Sequence, residues 1–297
     1  MNSYMECLTK KGLNPKRVCY IGNRHFCYEV LYNNPKYNVI KVLTFENSSL
    51  QKYLDNVKQD YELINETDNE YVISVLLKLE YDILVCNGSP FFLPASKLRA
   101  QGKILLNTHP TYLPYMRGKR PINGVLLYHC PIGATTHFMS DIIDGGNIIY
   151  QKKISWTPDI DLGLCYYISF NMQTDVFKNA LMILEKHNYQ YKGKKMDLSG
   201  HPIFRNEPDL RILNFQEMSS DDCLKHIKAY GVTNEGCLAR INDKNYCIYD
   251  GENIVNRYLL HMFAKTMSGE IILCYDTCIL VKCKKGILKI TKYSIYE

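Results

Sequence analysis

The stretch RVCYIGNRHFCYEVLYNNPKYNVIKVLTF, residues 17–45, indicates the fold of the first half of the chain. Arg17–Ile21 is a short apolar run that predicts a strand, and Gly22-Asn23 follows it as a turn. A helical spacing of apolar residues comes next, and Val39–Phe45 is rich in β-branched residues, which favours a second strand. This order is typical of the opening of a doubly wound α/β sheet. The turn lacks the full GxGxxG pattern, so an ordinary strand-to-helix turn and a nucleotide-binding loop both remain open.

Two further strands are expected to bring polar residues to one edge of that sheet. Asp82–Cys86 is a nearly continuous apolar run, as a buried parallel strand requires, and it ends at Asn87-Gly88-Ser89-Pro90. Ile104–Leu106 is a shorter run that ends at Asn107-Thr108-His109-Pro110. Ligands of open α/β sheets bind at the carboxyl ends of the strands. We therefore expect both polar loops at one binding edge.

The remaining segments divide the chain into a larger and a smaller domain. Helices are expected at Asp68–Leu79, Pro121–Tyr128, Leu162–Lys186 and Ser220–Ala229, and strands at Gly133–Met139 and Asn147–Ile154. Short strands follow at Gly236–Ile241, Tyr246–Tyr249, Glu270–Tyr275, Cys278–Lys282 and Gly286–Ile290, with turn signals such as Asp250-Gly251 between them. The predicted fold is α/β: a Rossmann-like, mostly parallel sheet flanked by helices, then a small, mainly antiparallel, OB-like β domain. The predicted domains are residues 1–205 and 206–297.

Composition excludes several broad classes of protein. The chain has 297 residues, of which 46% are apolar and 22% charged, so it is not an intrinsically disordered protein. The longest apolar candidate, Gly269–Val281, is too short and too interrupted to span a membrane. Met1–Lys11 has no apolar core and carries Glu6, so we do not expect a signal peptide. We therefore predict a cytoplasmic protein without a membrane partner.

The twelve cysteines do not indicate a disulfide framework or a metal site. They occur singly in apolar contexts, and no CxxC pair is present. Isolated cysteines of this kind are typical of reduced, buried residues in a cytosolic protein. Zinc sites use paired cysteine or histidine ligands, which are missing here, so no metal is expected.

The chemistry-bearing residues concentrate in two loops. Residues 107–118 combine Asn107, His109 and several residues that restrict the backbone, which suggests polar groups held in fixed positions. A second, acidic loop runs from Asp141 to Gly146. An Asn, a His and an Asp together can support acyl transfer without a covalent nucleophile. The His takes a proton from an attacking amine, the Asp fixes the imidazole tautomer, and the Asn amide donates to the developing oxyanion.

These loops closely resemble the signature of the folate-dependent formyltransferases, the family that includes the methionyl-tRNA formyltransferases. In that family an Asn-x-His-Pro-Ser-x-Leu-Pro-x-x-x-Gly loop precedes an Asp-x-Gly loop. The matching residues here are Asn107, His109, Pro110, Leu113, Pro114, Gly118, Asp144 and Gly146, and Thr111 stands where Ser is usual. The C-terminal strands are similar to the smaller barrel-like domain of several members.

The resemblance implies an activity, a co-substrate and roles for particular residues. The formyl donor would be 10-formyl-tetrahydrofolate and the acceptor a primary amine. By resemblance, His109 accepts the amine proton, Asn107 supports the oxyanion, and Asp144, rather than Asp141, orients His109. The pterin in similar enzymes lies against the loop after the Asp82–Cys86 strand and against the acidic loop from Asp141 to Gly146. The implied folate contacts are Asn87, Ser89, Phe91, Leu93, Ile142 and Ile143.

The charge distribution separates the acceptors used by different family members. Residues 210–297 carry twelve Lys and Arg and ten Asp and Glu, so they are near neutral, and the chain as a whole is +6. The segment Glu46–Leu50 is not basic. Methionyl-tRNA formyltransferases hold tRNA with basic surfaces at both places, and phosphate neutralisation dominates nucleic-acid binding. A nucleic-acid partner is therefore not expected, although methionyl-tRNA formyltransferase stays the first alternative. A non-catalytic binding module of the same fold, with a small basic patch at Lys282–Lys285, is the second.

The chain most resembles the members that formylate nucleotide-linked amino sugars, such as dTDP-4-amino-4,6-dideoxyglucose, for surface polysaccharides. Arg117–Pro121 resembles their Arg-Gly-x-x-Pro loop, and Arg205–Leu210 lies in a segment like the one that follows their catalytic core. Arg117 would then face a pyrophosphate. The expected substrate contacts are Asn23, Tyr115, Arg117, Gly118 and Arg205. The resemblance also implies a homodimer, which no residue of the sequence indicates. Glycinamide ribonucleotide formyltransferases and formyl-folate hydrolases fit the domain layout less well.

Overall fold

The computed structural model describes residues 14–296, which form two compact units. The first unit comprises the described residues up to Lys119 together with Pro131–Ile154 and Tyr167–Phe204. The second comprises Arg120–Cys130, Ser155–Tyr166 and the chain from Arg205 onward. The expected boundary between residues 205 and 206 stays a prediction, and two earlier segments group with the second unit. The expectation about Met1–Lys11 lies outside the described residues.

The first unit contains a seven-stranded sheet. Its strands are β1 (Lys16–Gly22), β2 (Tyr37–Thr44), β3 (Glu62–Leu63), β4 (Ile83–Asn87), β5 (Ile104–His109), β6 (Ile132–Phe138) and β7 (Ile148–Ile154). They lie in the order β3-β2-β1-β4-β5-β6-β7. Strands β1 to β5 are parallel, whereas β6 and β7 are antiparallel to their neighbours. The mostly parallel, Rossmann-like sheet is therefore confirmed.

Helices cover both faces of this sheet. In chain order the α-helices of residues 14–296 are α1 (Phe26–Tyr32), α2 (Ser49–Val57), α3 (Asn69–Lys78), α4 (Ala95–Arg99), α5 (Pro121–Leu127), α6 (Leu162–Lys186), α7 (Ser220–Tyr230) and α8 (Arg257–Met262). Of these, α5, α7 and α8 belong to the second unit. Apolar residues of α1, α2 and α6 form one core with the sheet, and those of α3 and α4 form the other. The alternation along β1 shows how the sequence achieves this, since Val18 and Tyr20 enter the first core and Cys19 and Ile21 the second.

The turn after β1 is explained by a close approach of two backbones. A Cβ on Gly22 would overlap the carbonyl oxygen of Asn87 at the end of the neighbouring strand β4. The amide of Asn23 donates to that carbonyl at 3.2 Å. Gly22 is therefore required for the packing of two strand ends. This packing explains the glycine at this turn, and no nucleotide is needed to explain it.

The second unit contains the expected small antiparallel sheet. Its strands are β8 (Cys237–Ile241), β9 (Lys244–Asn253), β10 (Ile271–Tyr275), β11 (Cys278–Lys282) and β12 (Ile287–Tyr296), in the order β10-β11-β12-β9-β8. The turn expected at Asp250-Gly251 was wrong, because both residues lie inside β9. Gly251 pairs with Ile290 and Asp250 with Lys292, so one residue of β12 is left over. The Asp-Gly pair therefore marks a β-bulge.

Two properties of the described residues bear on the expectations from composition. Within residues 14–296, no helix is both long and apolar enough to cross a membrane. The cysteines of the same part of the chain are all free thiols.

Candidate active site

Two neighbouring strands and one loop of the first unit bring the three predicted catalytic residues together. Asn107 and His109 lie two residues apart near the end of β5, so their side chains point to the same side. Strand β6 runs antiparallel beside it and places His137 opposite Asn107. Asp144 lies in the loop between β6 and β7, residues 139–147, which is called the aspartate loop below.

Asn107 uses both hydrogens of its amide within this site. Its Nδ2 donates to Oδ1 of Asp144 at 3.1 Å and lies 3.1 Å from Nε2 of His137. The Nδ1 of His137 lies 2.8 Å from the carbonyl of Phe138, which can only accept. His137 therefore carries its proton on Nδ1 in the neutral ring and accepts from Asn107 at Nε2. The Asn107 amide is fixed in orientation by two partners that both require its nitrogen.

His109 is buried between two groups that accept hydrogen bonds. Its Nδ1 lies 3.4 Å from Oδ2 of Asp144, and its Nε2 lies 3.0 Å from the carbonyl of Met116. Burial lowers the pKa of His109 below the ordinary histidine value, against the opposing effects of the Asp144 carboxylate and the Met116 carbonyl. Electrostatic interactions with His137 and Arg24 also lower the pKa of His109. The ring is therefore neutral at neutral pH, which a general base requires.

Asp144 is the charged centre of the site. Burial disfavours its carboxylate, but His109, His137 and the Gly118 amide outweigh burial and hold the pKa of Asp144 well below its usual range. The Gly118 amide donates to Oδ2 at 2.9 Å. Asp144 adopts a positive φ of 47°, which is uncommon for a residue other than glycine. The aspartate loop thus holds an ionised carboxylate against the imidazole of His109.

Hydroxyl groups brace the loop that follows β5, residues 110–118. The Thr111 hydroxyl donates to the carbonyl of Tyr115 at 2.9 Å, so the threonine that replaces the usual serine keeps a useful hydroxyl. The Thr135 hydroxyl donates to the carbonyl of Thr111 at 2.8 Å and accepts from the amide of Leu113 at 3.0 Å. The peptide bond between Leu113 and Pro114 is cis. These contacts tie the 110–118 loop to strand β6.

Arg117 is buried, with its guanidinium bound to backbone carbonyls. One of its terminal nitrogens donates to the carbonyl of Ile143 at 3.1 Å and the other to that of His201 at 2.7 Å. Only 6% of Arg117 is exposed. In this arrangement it links the 110–118 loop to the aspartate loop and to the segment around His201. Its expected contact with a pyrophosphate stays a prediction that would require these bonds to be exchanged.

The other predicted substrate contacts are spread over several places. Tyr115 packs edge-on against the His201 ring at 4.8 Å, and the Gly118 amide is bound to Asp144 as described above. Asn23 is exposed on the turn after β1, where its carbonyl accepts from Leu50 and Ser49 of α2. Arg205 is exposed and begins the last segment of the second unit.

The predicted folate contacts differ in what they can offer a ligand. Ile142 and Ile143 are largely exposed on the aspartate loop. Asn87 and Leu93 are buried inside the protein and present almost no surface to a ligand. Ser89 and Phe91 are partly buried: the Ser89 hydroxyl accepts from the Phe91 amide at 3.3 Å, and the Phe91 ring packs against Phe45.

Sequence reasoning missed His137, which touches both Asn107 and Asp144. It lies two residues before Met139 in a run that the sequence predicted only as a strand. Its position opposite Asn107 depends on the pairing of β5 with β6, and no local signal reveals that register. Among the described residues, no group of His, Cys, Asp and Glu could hold a metal ion.

The family model for formyl transferases matches residues 2–166, more than half of the chain, and the chain belongs to that family. The methionyl-tRNA formyltransferase of Syntrophus aciditrophicus is 27% identical over 140 residues, which are 46% of this chain and 45% of that protein. The chain thus spans about half the length of the curated relatives it matches.

Solved structures show that the fold extends beyond the matched region. The N-formyltransferase of Helicobacter canadensis, solved with folinic acid and dTDP-3-aminofucose, superposes with a TM-score of 0.66 at 16% identity, covering 95% of this chain and all of that one. A sugar N-formyltransferase from Shewanella gives a TM-score of 0.62 at 18% identity, covering 81% of this chain and 99% of that one. At these identities the likeness establishes the fold of the chain.

Proposed function

We propose that this protein transfers the formyl group of 10-formyl-tetrahydrofolate to the primary amine of a nucleotide-linked amino-deoxy sugar. The observation that carries the proposal is the cluster of Asn107, His109 and Asp144. Asn107 and His109 come from strand β5, and Asp144 comes from the aspartate loop. Asp144 contacts both: its Oδ1 lies 3.1 Å from Nδ2 of Asn107, and its Oδ2 lies 3.4 Å from Nδ1 of His109. The family of the chain supports the donor, and the likeness to sugar N-formyltransferases supports the acceptor.

His109 acts as the base in this proposal. Its neutral ring takes the proton that the amine loses as the new carbon–nitrogen bond forms. The required tautomer carries a proton on Nδ1, donated to Asp144, and leaves the lone pair on Nε2 free. The Met116 carbonyl, 3.0 Å from Nε2, favours the other tautomer, in which Nε2 carries the proton. Asp144 therefore has two tasks: it selects the tautomer and stabilises the imidazolium that forms.

Asn107 supplies a hydrogen-bond donor to the oxygen on which negative charge develops. Such a donor is worth about 3 kcal/mol in other acyl-transfer sites. Because Asp144 and His137 hold both hydrogens of the Asn107 amide, one of these two bonds must be exchanged or shared when the substrates are present. The proton on His109 then passes to the nitrogen of the departing folate, and a formamide is released.

The acceptor is proposed from charge. Residues 210–297 are near neutral, which disfavours a polynucleotide acceptor. A small acceptor that carries an amine and one pyrophosphate fits this charge better. Surface-polysaccharide biosynthesis would use the product. The protein would act in the cytoplasm, without a metal, as the homodimer that the resemblance implies.

An absorbance assay for tetrahydrofolate release tests the proposal. The protein is supplied with 10-formyl-tetrahydrofolate and, separately, with dTDP-, UDP- and GDP-linked amino sugars. Release with one of these acceptors, and none with the corresponding sugar that carries a hydroxyl in place of the amine, supports it. Release with water alone would instead indicate a hydrolase, and no release with any acceptor would favour a non-catalytic binding module.

Methionyl-tRNA formyltransferase is the second candidate, because the relative from Syntrophus aciditrophicus carries that name. Initiator methionyl-tRNA belongs in the same assay. Release with the tRNA alone would replace the sugar nucleotide as acceptor and would leave the roles of Asn107, His109 and Asp144 unchanged.

A further inference from the structure

A fully buried amide pair lies beneath the candidate active site and is not part of the machinery described above. Asn87 ends strand β4, and Gln173 lies in helix α6 on the covering layer. Both residues are completely buried. The Asn87 Nδ2 donates to Oε1 of Gln173 at 2.6 Å and to the backbone carbonyl of Thr108 at 3.1 Å. Thr108 stands between Asn107 and His109.

The Thr108 carbonyl has a structural reason to need this bond. Strand β5 is paired with β4 only as far as Asn107, which lies opposite Cys86. On the other side, the Leu105 carbonyl is directed to β6, where it accepts from Met139. Carbonyls alternate in direction along a strand, so the Thr108 carbonyl points toward β4, beyond the last ladder pair. The Asn87 side chain supplies the donor that the ladder no longer provides.

The orientation of both amides follows from this contact. A carbonyl can only accept, so the nitrogen of Asn87 faces Thr108 and its oxygen faces the Tyr20 hydroxyl, which lies 3.5 Å away. The oxygen of Gln173 must then face the Asn87 nitrogen. Within the described residues, the Nε2 of Gln173 has no hydrogen-bond partner. Among residues 14–296, the side chain of Gln173 therefore makes one polar contact, in which it accepts from Asn87.

We infer that Gln173 is a positioning residue that acts through the Asn87 amide to set the end of β5 and hence the positions of Asn107 and His109. The inference rests on the proposed formyl transfer. A buried amide pair adds little net stability over apolar groups of the same shape, so its contribution is geometric. The Thr108 hydroxyl lies 2.9 Å from the hydroxyl of Thr136, which precedes His137 in β6, so Thr108 is also tied to β6.

Substitutions at the two positions test this inference through kinetics. Gln173→Met keeps the length of the side chain and removes the acceptor, whereas Gln173→Glu retains an oxygen toward Asn87. We expect Gln173→Met to lower kcat about tenfold and Asn87→Leu about 10²-fold, with unchanged KM for donor and acceptor, because small displacements of reacting groups are costly. Gln173→Glu should recover most of the lost kcat. Asn179→Leu is the control, since the Asn179 amide donates to Asp175 in the same helix and not to β4 or β5.

Two further readouts distinguish positioning from general weakening of the fold. If Gln173 acts through Asn87, the double variant is no slower than Asn87→Leu alone, whereas independent effects multiply. The nuclear magnetic resonance signal of the His109 ring in the ligand-free protein should move in Gln173→Met and not in Asn179→Leu. Multiplying effects, an unmoved His109 signal, or a loss confined to KM or thermal stability would each overturn the inference. Because the His109 signal needs no turnover, a failure of the proposed function would be recognised separately.

Discussion

At the scale of the single residue, His109 is the group on which the proposed chemistry depends most. His109→Asn removes the base and should lower kcat by about 10²- to 10⁴-fold while the protein stays folded. The measurement is tetrahydrofolate release together with circular dichroism. His129→Asn is the matched control, since His129 packs on Trp156 in the second unit at a positive φ that Asn tolerates. A near-normal rate in His109→Asn would show that another group takes the proton.

The electrostatic role of Asp144 predicts a direction for the titration of His109. Burial is the largest effect on the pKa of His109 and lowers it, and His137 and Arg24 lower it further. Asp144 and the Met116 carbonyl act in the opposite direction and raise it. Asp144→Asn removes the carboxylate charge, so the pKa of His109 should fall further below the ordinary histidine value. A titration of the His109 ring by nuclear magnetic resonance measures this shift. A rise in the pKa would contradict the assigned contact.

The candidate residues that the sequence predicts best are those inside one local motif. Asn107 and His109 share a loop signature, and Asp144 precedes a Gly-Gly turn, so each could be named from its neighbours along the chain. His137 could not, because its relation to Asn107 exists only in the pairing of β5 with β6. Asn87 was predicted to contact folate, yet its side chain is buried and bonded to Gln173. A polar residue at a strand end faces ligand or protein depending on the helix above it, which the sequence does not state.

At the scale of the element, Gly118 holds the 110–118 loop against Asp144. Its φ is +108°, and an added Cβ would lie 2.8 Å from the Phe204 carbonyl oxygen. Gly118→Ala should therefore lower the free energy of unfolding by about 3 kcal/mol and also lower kcat, since its amide donates to Asp144. Gly102→Ala is the control: Gly102 also has a positive φ but open space around it, so the loss should be about 1 kcal/mol. Urea unfolding compares the two, and equal losses would refute the steric argument.

Arg117 provides a second prediction for the same loop. Lysine cannot reach both the Ile143 and His201 carbonyls, so Arg117→Lys should cost about 2 kcal/mol of unfolding free energy through lost charge-assisted hydrogen bonds. We expect kcat to fall because the aspartate loop loosens, with little change in the KM of the sugar nucleotide. The measurements are urea unfolding and steady-state kinetics. A raised acceptor KM with unchanged stability would instead support the pyrophosphate contact expected from the sequence.

Most of the longer elements could be predicted because their periodicity or apolar content is strong. The helix at Leu162–Lys186 is an example, and its expected bounds are those of α6. The shorter helices α2, α4 and α8 were not predicted. Helix α2 is capped by Ser48, whose side chain accepts from the Gln51 amide. A cap of one residue in a polar stretch is a weak signal in the sequence. The bulge at Asp250-Gly251 looked like a turn because the same residue types serve both structures.

At the scale of the whole molecule, the sequence predicts the classes of the two sheets and leaves the grouping of segments undetermined. The strand pattern indicates a mostly parallel sheet followed by an antiparallel one, and both are present. The sequence does not indicate that Arg120–Cys130 and Ser155–Tyr166 group with the second unit. Such grouping depends on contacts between residues distant along the chain, for example the bond from Asn123 to the Ala229 carbonyl at 2.9 Å.

The central claim is that an amine on a nucleotide-linked sugar is formylated at the site of Asn107, His109 and Asp144. Mass spectrometry of the sugar nucleotide after incubation with the protein and 10-formyl-tetrahydrofolate tests it most directly. The account predicts that the sugar nucleotide gains the mass of one CO group with the wild-type protein and gains none with His109→Asn. An unchanged sugar nucleotide with the wild-type protein, across dTDP-, UDP- and GDP-linked amino sugars, would contradict it.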